Sequence, residues 1–132
     1  MRKIIIIGSM IFFMILLSGT VSAANYIVSP GTNSIQTAVN AASDGDTLNL
    51  TAGTYNEYNI KVNKSLIIAG PKTTGTSSPT AVIDAQNQGR VFNITSGLNV
   101  TLKYLTIING NASKDTTNQD GGEFTVITVV WP

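Results

Sequence analysis

The chain has no cysteine and no histidine. Without cysteine there is no disulfide framework, so packing and backbone hydrogen bonds must hold the fold. Without histidine, the common zinc sites and the usual general base are excluded. Charge is sparse: charged residues make up 11% of the sequence, eight basic against seven acidic. Such a chain offers no electrostatic footprint for nucleic acid or an anionic membrane surface. Helical periodicity is scarce as well, and after Leu50 none is convincing. Thr, Asn, Ser and Gly are abundant instead, and they suit strands joined by tight turns.

The one long apolar run lies at the start. Arg2 and Lys3 precede Ile4 to Leu17, which is apolar apart from Gly8 and Ser9, and Val21-Ser22-Ala23 supplies small residues. This is the pattern of a secretory signal peptide spanning 1–23, with a mature part from 24 to 132. The alternative is an uncleaved membrane anchor, against which the run is short for a span of ~20 residues; contact with a membrane is expected only through this segment. Its removal would take away two basic residues, leaving six against seven acidic ones and a net charge of −1.

The stretch from Ser34 to Ile60 organises the rest of the chain. Ser34 can cap a helix, and Ile35, Ala38, Val39 and Ala42 form an apolar stripe on one helical face. Asn25 to Val28 is an apolar entry before it. Ser43-Asp44-Gly45-Asp46 ends the helix, with Gly45 free to take positive φ. A helix is thus expected over about 34–43. Leu48 and Leu50 then alternate with polar residues, which is the period of a strand. Ala52-Gly53-Thr54 reads as a second turn.

Ile35-Gln36-x-Ala38-Val39, then Gly45-Asp46-Thr47-Leu48, then Gly53-Thr54-Tyr55-Asn56-Glu57, resembles the opening of the pectin lyase-like superfamily. That resemblance implies an all-β fold, a right-handed single-stranded parallel β-helix with a short N-terminal capping α-helix. Ile35, Val39, Gly45, Leu48, Gly53 and Tyr55 would build the cap and first coil, and Leu66, Ile68, Leu102 and Ile107 would continue the core.

Further strands are expected at Tyr58–Val62, Ser65–Gly70, Ala81–Ala85, Arg90–Ser96 and within Asn99–Ile108, with a loop over 71–80. Ile60 to Gly70 aligns without gaps on Val100 to Gly110, sharing Ile-Ile-x-Gly. The offset of 40 reads as two coils of ~20 residues, a usual solenoid repeat. A stack of this kind has open ends, and an uncovered end invites self-association.

Val100 to Gly110, with Asn109-Gly110-Asn111-Ala112 and Gly121-Gly122, is similar to repeats in adhesin-like surface proteins of methanogenic archaea and in polymorphic outer-membrane proteins. This implies a nonenzymatic protein, secreted or at the cell surface (outer membrane or periplasm in a Gram-negative cell), attaching to glycans or other cells. After Gly122 the pattern fails, and 123–132 is either a last strand or out-of-frame sequence. The chain then reads as a truncated first part of a longer β-helix. The alternatives are a polysaccharide lyase or esterase of the same fold cut off before its catalytic coils, and a periplasmic accessory factor.

No catalytic set stands out. Asp44 and Asp46 flank the turn glycine, and Asp84 sits at a strand end. Gly53-Thr54-Tyr55-Asn56-Glu57 resembles the first signature of pectin methylesterases, which noncatalytic β-helices share. The later Gln-Asp-Thr-Leu motif is absent, since Gln119-Asp120 is followed by Gly-Gly. Clustered aspartates for calcium are missing, and Asp115 to Asp120 lacks the glycine and terminal Glu of a calcium loop. The sequence therefore suggests no enzyme, cofactor or metal. Five Asn-x-Ser/Thr sequons, at Asn49, Asn63, Asn93, Asn99 and Asn111, are candidate glycosylation sites, with Asn63 and Asn111 best placed at turns.

Overall fold

The computed structural model describes residues 22–74 and 78–114. Within them the chain winds as a parallel β-helix of about three turns, with one short helix. Strands β1 (Asn25–Val28), β2 (Thr47–Leu50), β5 (Ile67–Ala69) and β8 (Thr101–Lys103) stack in that order as one four-stranded sheet. Strands β3 (Gly53–Tyr55), β6 (Ala81–Asp84) and β9 (Leu105–Ile108) form a second sheet, and β4 (Ile60–Val62) with β7 (Phe92–Ile94) a third. Every pairing is parallel. Alternation sends every second residue inward. Tyr26, Leu48, Ile68 and Leu102 therefore stack in one column, and Tyr55, Ile83 and Ile107 in another.

The first coil differs from the rest. After β1 it forms helix α1 (Ser34–Ala41), which lies over the end of the stack and buries Ile35 and Val39. Ser34 does not cap this helix. The capping position is Asn33, at φ 50°, and its side chain makes no capping bond. The cap comes from a coil away. Glu57, 3% exposed, accepts hydrogen bonds from the Ile35 N–H (2.9 Å), the Gln36 N–H (3.2 Å) and the Ser34 hydroxyl (3.0 Å). At the other end, Lys64 Nζ donates to the carbonyls of Val39, Asn40 and Ala42. A carboxylate at the N-terminus and an ammonium at the C-terminus both oppose the helix dipole. Between them, the Gln36 side chain accepts from the Lys61 N–H and donates to the Lys61 carbonyl, filling the ladder position above β4.

Several sequence expectations need correction. The helix ends at Ala41 rather than near 43. Ala52-Gly53-Thr54 is not a turn, because β3 begins at Gly53. Asn99 to Ile108 holds two strands, β8 and β9, broken at Tyr104, which takes φ 56°. The offset-40 echo is not a coil repeat: Ile67 lies beside Thr101 in the first sheet, while Ile107 lies beside Ile83 in the second. Coils advance by 22 residues from β1 to β2, 20 from β2 to β5 and 34 from β5 to β8. Ile107 is 43% exposed although Ile83 beneath it is fully buried, because no described residue stacks above it. The expected tail 123–132, Asp115 to Asp120 and Gly121-Gly122 lie outside the described residues.

Replacing Glu57 by Ala removes three hydrogen bonds from the helix start and leaves buried donors without a partner. Glu57→Ala is expected to cost about 2–3 kcal/mol of unfolding free energy, and Glu57→Gln less, in urea denaturation.

Candidate functional site

The stacked coils differ in how they turn from the first sheet to the second. Two residues, Thr51 and Ala52, join β2 to β3. Eleven, 70–80, separate β5 from β6, and Tyr104 alone joins β8 to β9. A long connection between two short ones leaves a cleft along this edge, of about 530 Å³. Its floor includes part of the outward column of the first sheet, in which Ile27, Asn49, Ala69 and Lys103 stand in register. Its rim carries Thr51, Ala52, Gly70, Pro71, Lys72 and Tyr104.

The chemistry of the lining is lopsided. It holds two lysines, Lys72 and Lys103, and no carboxylate. Ile27 is 81% exposed there, an apolar side chain in water, and Tyr104 lines the same cleft. Asn49 donates to Asn25 Oδ1 at 3.3 Å, a short side-chain ladder on the same face. Cations beside an aromatic and an apolar surface suit an anionic ligand with a carbon framework, such as a sugar acid.

Gly70 makes the corner possible. A Cβ built on it would stand 2.1 Å from the Tyr104 carbonyl oxygen and 2.9 Å from Ala81 Cβ. The backbone of the next coil crosses directly over this glycine, and the Gly70 N–H donates to the Lys103 carbonyl at 3.0 Å.

The residues singled out in the sequence fall elsewhere. Ile35, Val39, Leu48, Tyr55, Leu66 and Ile68 are buried, and Leu102 packs half-buried against them. Gly45 has φ 87° and Gly53 φ 138°. The Gly53-Thr54-Tyr55-Asn56-Glu57 signature is occupied with structure: a Cβ on Gly53 would meet Pro30, and the Tyr55 hydroxyl donates to the carbonyls of Val28 and Thr51. Glu57 holds the helix. Asp84 Oδ1 accepts from the Gln86 N–H and from Asn109 Nδ2. Asp44 Oδ1 accepts from the Ser65 N–H. Among the described residues, no group of three or more Asp or Glu could hold a metal ion.

Of the sequons, Asn63 and Asn99 are exposed at corners, and Asn111 is half-buried, its Oδ1 accepting from the Ser113 N–H. Asn93 lies half-buried in β7. Asn49 lines the cleft. The cleft residues Lys72, Lys103 and Tyr104 were not picked out in the sequence. The available signal was the length of the 71–80 segment beside a Lys-Tyr pair.

No family profile and no curated protein matches the chain. Among solved structures, a PL6 family alginate lyase, AlyGC, superposes with a TM-score of 0.54 and 30% sequence identity, over 65% of this chain and 11% of that one. The chain is similar to part of a polysaccharide lyase. It spans about a ninth of that enzyme's length.

This likeness overturns the expectation of a nonenzymatic, adhesin-like protein, and with it the expectation that the chain belongs to no enzyme. Paired or clustered aspartates, the acidic sets of related enzymes, are not what this cleft presents. The cleft carries lysines instead, brought together from β8 and from the loop after β5.

Gly70→Ala is expected to push the Tyr104 backbone outward and to destabilise the fold by about 1–3 kcal/mol, the usual range for overpacking. Thermal unfolding followed by far-ultraviolet circular dichroism measures it, with Gly31→Ala as control, since a Cβ there meets only Ser34 Cβ at an ordinary 3.8 Å.

Proposed function

We propose that this chain forms the capped end of a β-helical polysaccharide lyase acting on a carboxylate-bearing polysaccharide outside the cell. The cleft over the first sheet would hold a segment of that polymer. The observation that carries this reading is the lining: two lysines and no carboxylate, on a β-helix similar to an alginate lyase. Alginate is a chain of uronic acids, each bearing a carboxylate. Lys72 and Lys103 would pair with such carboxylates. Tyr104 and Ile27 would lie against sugar rings. The signal-peptide pattern at 1–23 supports an extracellular site of action, where such polymers are met.

Lyases of acidic polysaccharides work by β-elimination. A base takes the proton next to the carboxylate, and the glycosidic carbon–oxygen bond on the adjacent carbon breaks. The sugar left behind gains a carbon–carbon double bond. Removing that proton builds negative charge on the carboxylate, so a lysine ammonium at the carboxylate lowers the barrier. This is the role the cleft lysines can fill. The base is not assigned to any described residue.

The test is retention of the protein on immobilised alginate against a neutral glucan, with release of unsaturated uronate followed by ultraviolet absorbance. Retention on alginate alone, weakening as salt rises, is expected. Lys72→Ala with Lys103→Ala should weaken it about 3- to 10-fold, as loss of two partly exposed ion pairs would. Equal retention on the neutral polymer, or no effect of the double substitution, would sink the proposal.

A further inference from the structure

Asp46 is 3% exposed, whereas Asp44 and Asp84 lie nearer the surface. One carboxylate oxygen, Oδ2, accepts the Ser43 N–H at 2.7 Å and so closes the turn after α1. The other, Oδ1, accepts the Ala24 N–H at 2.7 Å, across 22 residues. Ala24 is also held through its carbonyl, which accepts the Thr47 N–H at 2.9 Å. Strand β1 begins at the next residue, Asn25. Ser22 and Ala23, just before, are exposed and outside any element. The hydrogen-bonded part of the described fold therefore starts at Ala24, the residue after the small-residue Val21-Ser22-Ala23 pattern.

We infer that Asp46 is a docking site for a new chain terminus: cleavage after Ala23 would turn the Ala24 amide into an α-ammonium, which would stay in place and form an ion pair with the Asp46 carboxylate. The cleavage is hydrolysis. Water adds across the Ala23–Ala24 peptide bond, giving a carboxylate on the departing segment and an ammonium on Ala24. No rearrangement is needed, because the nitrogen is already at hydrogen-bond distance. A neutral hydrogen bond becomes a charge-assisted one, which is the stronger kind. Processing would in this way tighten the first coil, joining β1 to the turn that ends the capping helix.

Asp46 is prepared for this role. The Ser43 and Ala24 N–H groups, with the charge of Lys64, hold its carboxyl below the ordinary carboxylate range. It is thus ionised at neutral and mildly acid pH, where the ammonium also exists. The other charges near it are engaged: Asp44 accepts from Ser65, and Lys64 donates to three carbonyls of the helix end. The Asp46 carboxylate is hydrogen-bonded only to two backbone N–H groups, and Lys64, the cation whose charge it feels, spends its own hydrogen bonds on the helix end.

The inference rests on the secretory reading of residues 1–23 and not on the lyase reading. Two measurements test it. The intact mass of the protein secreted from a bacterial host should correspond to a start at Ala24, and a start elsewhere overturns it. Second, forms beginning at Ala24 and at Ser22, both produced without a signal segment, should differ in melting temperature. At pH 6 the Ala24 form is expected to melt about 4 °C or more above the Ser22 form, whose ammonium lies two residues away. Pairing raises the ammonium's folded pKa above its free value of about 7.7–8.0, so the advantage is complete at pH 6, is lost as pH rises through the folded value, and is lost at the acid end where Asp46 takes a proton. In Asp46→Asn the gap should vanish. Equal melting of the two forms at pH 6, or a gap that persists to pH 11, overturns the inference even if Asp46→Asn does not fold.

Discussion

A β-helix has one structural weakness that everything else must accommodate: its ends. Within the stack each coil satisfies the backbone and covers the side chains of the next. The first coil has nothing above it. Here the solution is helix α1, and the helix stays because charges from the coil below grip both its termini. An eight-residue helix is too short to be stable by propensity alone. Glu57 and Lys64 supply what its sequence does not, since its first turn has no acidic residue and its last no basic one. The helix in turn packs against β1 and β4, where Val28, Ile60 and Val62 are buried. Cap and core are thus mutually dependent, and the cap is specified partly by residues outside it.

That dependence explains what could be read in the sequence and what could not. Alternation in Leu48 and Leu50, the stripe of Ile35 and Val39, and the turn at Gly45 are local signals, and each is found where its period places it. The capping of α1 is not local. Ser34 has the right residue type but lies one position past the cap, Asn33, and its hydroxyl donates to Glu57, 23 positions away. Coil register failed for a related reason. The Ile-Ile-x-Gly echo pairs Ile67 with Ile107 by sequence, but corner lengths decide which strands stack. Those lengths change from two to eleven to one on the same edge. A strand has a period of two and no memory of which sheet it belongs to. Similar segments on different faces of a solenoid therefore look like repeats.

The candidate site was less legible than the fold. Its residues come from four coils and carry no shared motif: Ile27 from β1, Asn49 from β2, Lys72 after β5, and Lys103 with Tyr104 at the turn of β8. Only register brings them together. The acidic residues that drew attention were absorbed by structure, Asp46 and Glu57 at the cap and Asp84 at a turn. In a chain so poor in charge, the described carboxylates are spent on closing backbone, while two lysines remain along one cleft. Searching for acid pairs selected the residues that hold the coils rather than those placed to meet a ligand.

The same irregularity that hid the register creates the cleft. A solenoid with uniform corners presents a smooth face, and its outward side chains are spread evenly along it. At the eleven-residue corner Gly70, Pro71 and Lys72 line the cleft, and the single-residue corner of the next coil lets the Tyr104 backbone close over Gly70. Two opposite demands meet at that glycine: the loop must leave the stack, and the next coil must come down onto it. Only a residue without a side chain admits both. The corner that makes the site is therefore also the tightest approach between described coils at any glycine, and variation in the loop can reshape the cleft only beyond Gly70.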